Sequence, residues 1–160
     1  MTKMKLLNIA RWLVVLLLII YMIVSCAGNR TSKADPAAVS KAVLSAAALS
    51  HTQEADAQMV KRLYGVDPAE YESVVLQYPA TNMDAEELLL VKLRDVSQQE
   101  ALLAAANARI DTQKTSFDGY GPAQYALLTE HCIIEARGNY FLLVVSSNAQ
   151  AAKEAFEKAL

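Results

Sequence analysis

The segment Tyr140-Phe141-Leu142-Leu143-Val144-Val145 restricts this chain to a narrow choice of folds. Six consecutive apolar residues rich in aromatic and β-branched types favour a strand. Successive side chains of a strand point to opposite faces, so both faces of this one are apolar. Such a strand belongs in the middle of a sheet. The run His131 to Ala136 precedes it across Gly138-Asn139, a two-residue pair suited to a primed hairpin turn.

The rest of the chain supplies partners for that hairpin. Asp35-Pro36 is a helix start, with an N-cap acid before a proline at the first helical position, and Val39, Val43, Ala46 and Leu49 keep helical spacing. A second helix is expected from Gln53 to Tyr64, closed by Gly65 in a left-handed cap, with Asp67-Pro68 starting a short turn. Glu72 to Tyr78 alternates as a strand does. Glu86 to Leu93 has helix-forming composition but places Leu89, Val91 and Leu93 on one strand face, and we read it as the second arm of a hairpin. Ser97 and Glu100 suggest a capping box for a long helix to Thr115 with Leu103, Ala106 and Ile110 buried. Pro122 opens a short helix through Leu128, and Asn148 is the expected cap of a closing helix with Ala149, Ala152, Phe156 and Leu160 on its apolar stripe. Two helices followed by hairpin, helix, hairpin, helix predict an α+β, two-layer sandwich: an antiparallel sheet of about four strands with helices on one face.

The N-terminus stands outside this domain. Lys3, Lys5 and Arg11 precede an apolar run from Trp12 to Val24 that ends in Ser25-Cys26. A basic region, an apolar core and a small residue before the processing point make an export signal. Ile23-Val24-Ser25-Cys26 resembles a bacterial lipobox, with isoleucine where leucine is usual, which implies that Cys26 is acylated and becomes the new N-terminus. An uncleaved anchor is the other reading, since Leu6 to Ala27 reaches spanning length by including Asn8 and Arg11. Both readings place the remainder on the extracytoplasmic face of the cell membrane. The expected organisation is a signal or anchor over residues 1–26, a small, polar, flexible tether over 27–34, and a single α+β domain over 35–160.

Charge narrows the partners. The leader holds three basic residues and no acidic ones, so without it the net charge moves from −2 to −5. An acidic domain is repelled by phosphates, which argues against nucleic acid. The membrane enters as a partner through the anchor, together with a protein or peptide partner at the cell envelope. Beyond Cys26 the only cysteine is Cys132, in an apolar strand-like run, so no disulfide framework exists.

Catalytic and metal signatures are missing from the sequence. His131 and Cys132 are adjacent and point to opposite faces of a strand, and no closely spaced ligand set, nucleophile elbow or phosphate loop is found. No metal, cofactor or catalytic residue is expected. Glu86 and Glu87 read as a solvated turn flank. The one constellation that stands out is Arg109, Gln113 and Tyr120. Arg109 and Gln113 are four apart and share a helix face, and the loop with Phe117 and Tyr120 can fold back on them. Such a set either grips a carboxylate or peptide end, or ties down the backbone carbonyls of the loop.

The run Tyr64 to Asp67, the segment Met83 to Leu93, the set Arg109, Gln113, Phe117, Tyr120 and Pro122, and the turn Gly138 to Tyr140 together resemble domain-of-unknown-function family 4358, over about residues 36–158. The resemblance implies a small bacterial protein with a lipoprotein or membrane-anchor leader, and no activity. The functional expectation is a membrane-tethered interaction or ligand-binding module. Its alternatives are a cell-envelope enzyme with a site assembled from remote residues, and a structural accessory of a membrane complex.

Overall fold

In the computed structural model, which describes residues 11–18 and 31–160, five strands make one antiparallel sheet. They are β1 (Thr52–Glu54), β2 (Ser73–Pro79), β3 (Glu87–Lys92), β4 (Cys132–Arg137) and β5 (Tyr140–Val145), in the order β1-β2-β3-β5-β4. Five helices surround it: α1 (Pro36–Ala47), α2 (Ala57–Tyr64), α3 (Gln99–Phe117), α4 (Pro122–Glu130) and α5 (Ala149–Ala159). The class is α+β. Residues 11–18 are helical with exposed side chains, and among the described residues no helix is long and apolar enough to cross a membrane. Cys26 lies outside the described residues.

The helices occupy both faces of the sheet, where the sequence suggested one. On the first face Leu89, Val91, Phe141, Leu143 and Val145 pack with Val60 and Tyr64 of α2, Leu102, Ala106, Ile110 and Phe117 of α3, and Leu128 of α4. On the second, Leu88, Leu90, Tyr140, Leu142 and Val144 pack with Val39, Val43 and Ala47 of α1 and Ala149, Ala152 and Phe156 of α5. The reason lies in β3 and β5, every residue of which is buried. Two adjacent strands apolar on both sides need cover on both sides, and a two-layer arrangement would leave one of them wet.

The fifth strand also departs from expectation. Thr52–Glu54 pairs with Gln77 to Pro79 instead of starting a helix, because the true cap is Asp56, whose side chain accepts the amide of Met59 at 2.7 Å. The cap ahead of the long helix likewise lies two residues earlier than expected: the capping box is Asp95 with Gln98, not Ser97 with Glu100, and it starts a 3-10 turn that runs into α3. The buried face of α3 is Leu102, Ala106, Ile110, Gln113 and Phe117, and Leu103, expected to be buried, is 46% exposed. Asn148 precedes α5 without a side-chain cap. Its amide instead donates to Ser146 Oγ, whose hydroxyl donates to the carbonyl of Ala47 and joins α1 to the end of β5.

Other local expectations hold. Asp35 caps α1 through the amide of Ala38, and Gly65 closes α2 at φ 69°. The β4–β5 turn has positive φ at Gly138 alone, the pattern of a II′ turn. Part of the segment assigned to the tether is bound to the domain. The amide of Ser32 donates to Asn139 Oδ1, and the carbonyl of Ala34 accepts from Lys92 Nζ and Tyr140 Oη.

Two-sided burial has a direct test in neighbouring residues of β3. Leu88→Ala and Leu89→Ala open cavities on opposite faces, and each is expected to destabilise the protein by about 2–5 kcal/mol in urea unfolding. A negligible loss for either one would return the sheet to a single covered face.

Candidate functional site

Strand β3 begins with a charge where a hydrophobe is expected. Glu87 shares its face with Leu89 and Val91 and is 0% exposed. A carboxylate removed from water is costly unless charge and hydrogen bonds compensate for it. Arg109 supplies the charge: Nε lies 3.1 and 3.2 Å from the two carboxylate oxygens and Nη2 lies 2.7 Å from Oε2. Gln113 Nε2 donates to Oε2 at 2.9 Å, and the Tyr64 hydroxyl donates to Oε1. The four-residue spacing of Arg109 and Gln113 stacks both on the sheet side of α3, while Tyr64 ends α2. Three side chains from two helices therefore converge on one carboxylate.

The electrostatics follow from that convergence. Burial, and then the charge and hydrogen bond of Glu87, push the Tyr64 phenol well above its ordinary value, so it stays a neutral donor. Burial works against the Arg109 cation, but the hydrogen bond and charge of Glu87 outweigh it and raise its affinity for the proton. Glu87 has its lone pairs engaged by surrounding donors and no exposed surface. It is unavailable as a general base.

Above this cluster lies a cleft of about 490 Å³. Its floor includes Arg109 and Gln113, its apolar walls come from Met59, Leu63, Tyr78 and Phe117, and its rim carries Gln53, Arg62, Thr81, Asn82, Asp84 and Ser116. Gly121 lets the Phe117 wall sit where it does, since a Cβ there would stand 2.6 Å from Phe117 Cδ1. Gln113 is 5% exposed and its Oε1 has no hydrogen-bond partner.

The residues singled out in the sequence separate here. Arg109 and Gln113 come together, on the Glu87 side chain and not on loop carbonyls. Tyr120 is 57% exposed and stacks on Phe117 with ring centroids 6.0 Å apart; it touches a wall of the cleft without itself lining it. Glu87, the centre of the arrangement, escapes a sequence reading that takes it with Glu86 as a turn flank. Only Glu86 faces outward, where it accepts the amides of Ser50 and His51. Cys132 is half-buried, and burial raises its thiol pKa. Among the described residues no group of three or more His, Cys, Asp or Glu is placed to hold a metal ion.

Fold and site thus define a small α+β domain with a buried charge cluster beneath a cleft. The family model of a domain of unknown function, DUF4358, matches residues 45–146, a span that includes all five strands and every residue of the cluster. The chain belongs to that family. No curated protein and no solved structure matches.

Removing Arg109 strands a buried charge. Arg109→Ala is expected to cost about 3–5 kcal/mol in urea unfolding, whereas Arg109→Ala combined with Glu87→Leu is expected to cost less than the sum of the two single changes. Additive losses would show that the pair is not coupled. Tyr64 gives a pH signature. Because its pKa is raised on folding, its contribution is fully present below the unfolded value of about 10 and is lost as pH rises beyond that. Tyr64→Phe should flatten the fall in stability above pH 10.

Proposed function

We propose that this protein is a membrane-tethered, extracytoplasmic interaction or ligand-binding module whose ligand occupies the cleft above Arg109 and Gln113. The observation that carries the reading is the position of the cleft relative to the point where the N-terminal segment joins the domain. Ser32 and Ala34 are held by Asn139, Lys92 and Tyr140, at one end of the paired central strands. The cleft sits at the other end, where β3 starts at Glu87, about 17 Å along the strand. Helix α3 runs the same way, from Gln99 bonded to the Gly138 carbonyl at the near end to Phe117 at the cleft. A domain tethered through its N-terminus therefore presents the cleft away from the lipid surface.

The chemistry of the site favours binding over catalysis. Its one buried carboxylate is saturated by donors, and its rim mixes neutral polar groups with Arg62 and Asp84 beside apolar walls, the usual lining of a ligand site. The leader supports the tether: a basic region, an apolar run and the lipobox-like Ile23 to Cys26.

Two measurements test the reading. The membrane form should have an intact mass lacking residues 1–25 and carrying a diacylglyceryl group, absent in Cys26→Ala, because two acyl chains anchor stably where one is marginal. An unprocessed Met1 would replace lipidation with an uncleaved anchor. For the cleft, a photocrosslinker installed at Asn82 on the rim should capture a cell-envelope component in intact cells, and one installed at the exposed Gln150 of α5 should not. Equal capture at both positions, or none at either, would remove the cleft as the binding site.

A further inference from the structure

Resting on the binding reading, we infer that the cleft selects an uncharged ligand through a secondary amide group, whose carbonyl accepts from Arg109 and whose N–H donates to Gln113. Three observations lead there. The first is the unused edge of Arg109. Its Nε and Nη2 are committed to Glu87, while Nη1 makes no hydrogen bond among the described residues and the side chain keeps 14% of its surface at the cleft. A guanidinium carries five N–H donors, so an outward pair is left for a ligand acceptor.

The second is the unpartnered acceptor of Gln113. Its amide cannot be reversed to cure this, because Oε1 would then face the Glu87 carboxylate, which only accepts. Oε1 is buried on a residue that lines the cleft, and the side chain that carries it makes one hydrogen bond. The terminal torsion of a glutamine is soft, so a bound ligand can draw Oε1 toward the cleft at some cost to the bond between Nε2 and Glu87. The spacing along α3 then sets a donor and an acceptor one helical turn apart.

The third is charge. The lining holds Arg62 and Arg109 against Asp84, and Glu87 beneath the floor neutralises Arg109, so the site as a whole is balanced. An anion meets a guanidinium whose charge is already matched and an acceptor oxygen that repels it. An amide matches both groups at once and carries no charge to desolvate. The carbon substituents of such a group have apolar surface to rest on at Phe117, Tyr78 and Met59.

Secondary amides reach a cell envelope in peptides and in acetamido sugars, and the probes separate these sources. The ¹⁵N-labelled full-length protein in detergent micelles is titrated with N-acetylalanine methylamide, with the methyl glycoside of N-acetylglucosamine, with the ester analogue of the first in which oxygen replaces each N–H, and with sodium acetate. We expect an amide probe to shift the Gln113 side-chain NH₂ signal and its ester counterpart to bind at least about tenfold more weakly, the consequence of leaving a buried acceptor unpaired. Whichever amide binds more tightly names the source. Ester and amide of equal affinity, or acetate filling the cleft where amides do not, would overturn the amide inference and leave the cleft a binding site. If no probe moves any cleft signal, both the inference and the binding reading fall.

Discussion

The carboxylate of Glu87 is the constraint around which one side of this domain is arranged. With no exposed surface it needs a counter-charge and donors at fixed positions, and these come from the end of α2 and from two successive turns of α3. Hydrophobic packing alone permits a helix to slide or rotate over a sheet at modest cost. A bidentate arginine with a second donor one turn further along admits one register. Replacing the whole cluster by hydrophobes of similar size is expected to leave the domain about as stable, since buried ion pairs seldom outperform apolar packing. What it contributes is the placement of α2 and α3 relative to β3, and hence the shape of the cleft between them.

The opposite side is organised differently. There α1 and α5 lie against Leu88, Leu90, Leu142 and Val144, the ion pairs of α5 with the edge strand β4 are Lys153–Glu135 and Glu157–Arg137, and the Tyr140 and Phe156 rings meet edge to face at 6.4 Å. The polar ties sit at the margins: Ser146 Oγ to the Ala47 carbonyl at one end, Tyr140 and Lys92 to the Ala34 carbonyl at the other. One face is thus adapted to holding the fold closed and the other to positioning polar groups. The residues that line the cleft all belong to the second kind.

Much of this was legible in the sequence and the failures have physical causes. Tyr140 to Val145 announced a central strand, yet its second apolar face was not followed to its consequence, a second layer of helices. The α3 boundary is ambiguous in the sequence because Asp95 and Ser97 both offer good caps within one turn, and the adjacent leucines Leu102 and Leu103 both suit its apolar stripe, of which the sheet covers Leu102. Arg109 and Gln113 stood out by their spacing, but their partner did not, because an acid at the edge of an apolar run is usually a solvated flank. The signal that would have found it is alternation: Glu87 is in phase with Leu89 and Val91, so if those are buried, so is the charge. Tyr120 was grouped with them by proximity in sequence. Only the turn of the chain after Phe117 decides that it points outward.

The attachment of the N-terminal segment has a mechanical side. Ala34 is gripped through its carbonyl by Lys92 at the end of β3 and by Tyr140 at the start of β5, which are neighbours in the middle of the sheet. A pull on residues ahead of Ser32 therefore meets these bonds to the two most deeply buried strands, which share a continuous ladder from Glu87–Val145 to Lys92–Tyr140, before it reaches α1 through the covalent chain. The bonds that yield first are those side-chain contacts with Ser32 and Ala34, so the segment can be drawn off the domain while the ladder beneath it stays closed.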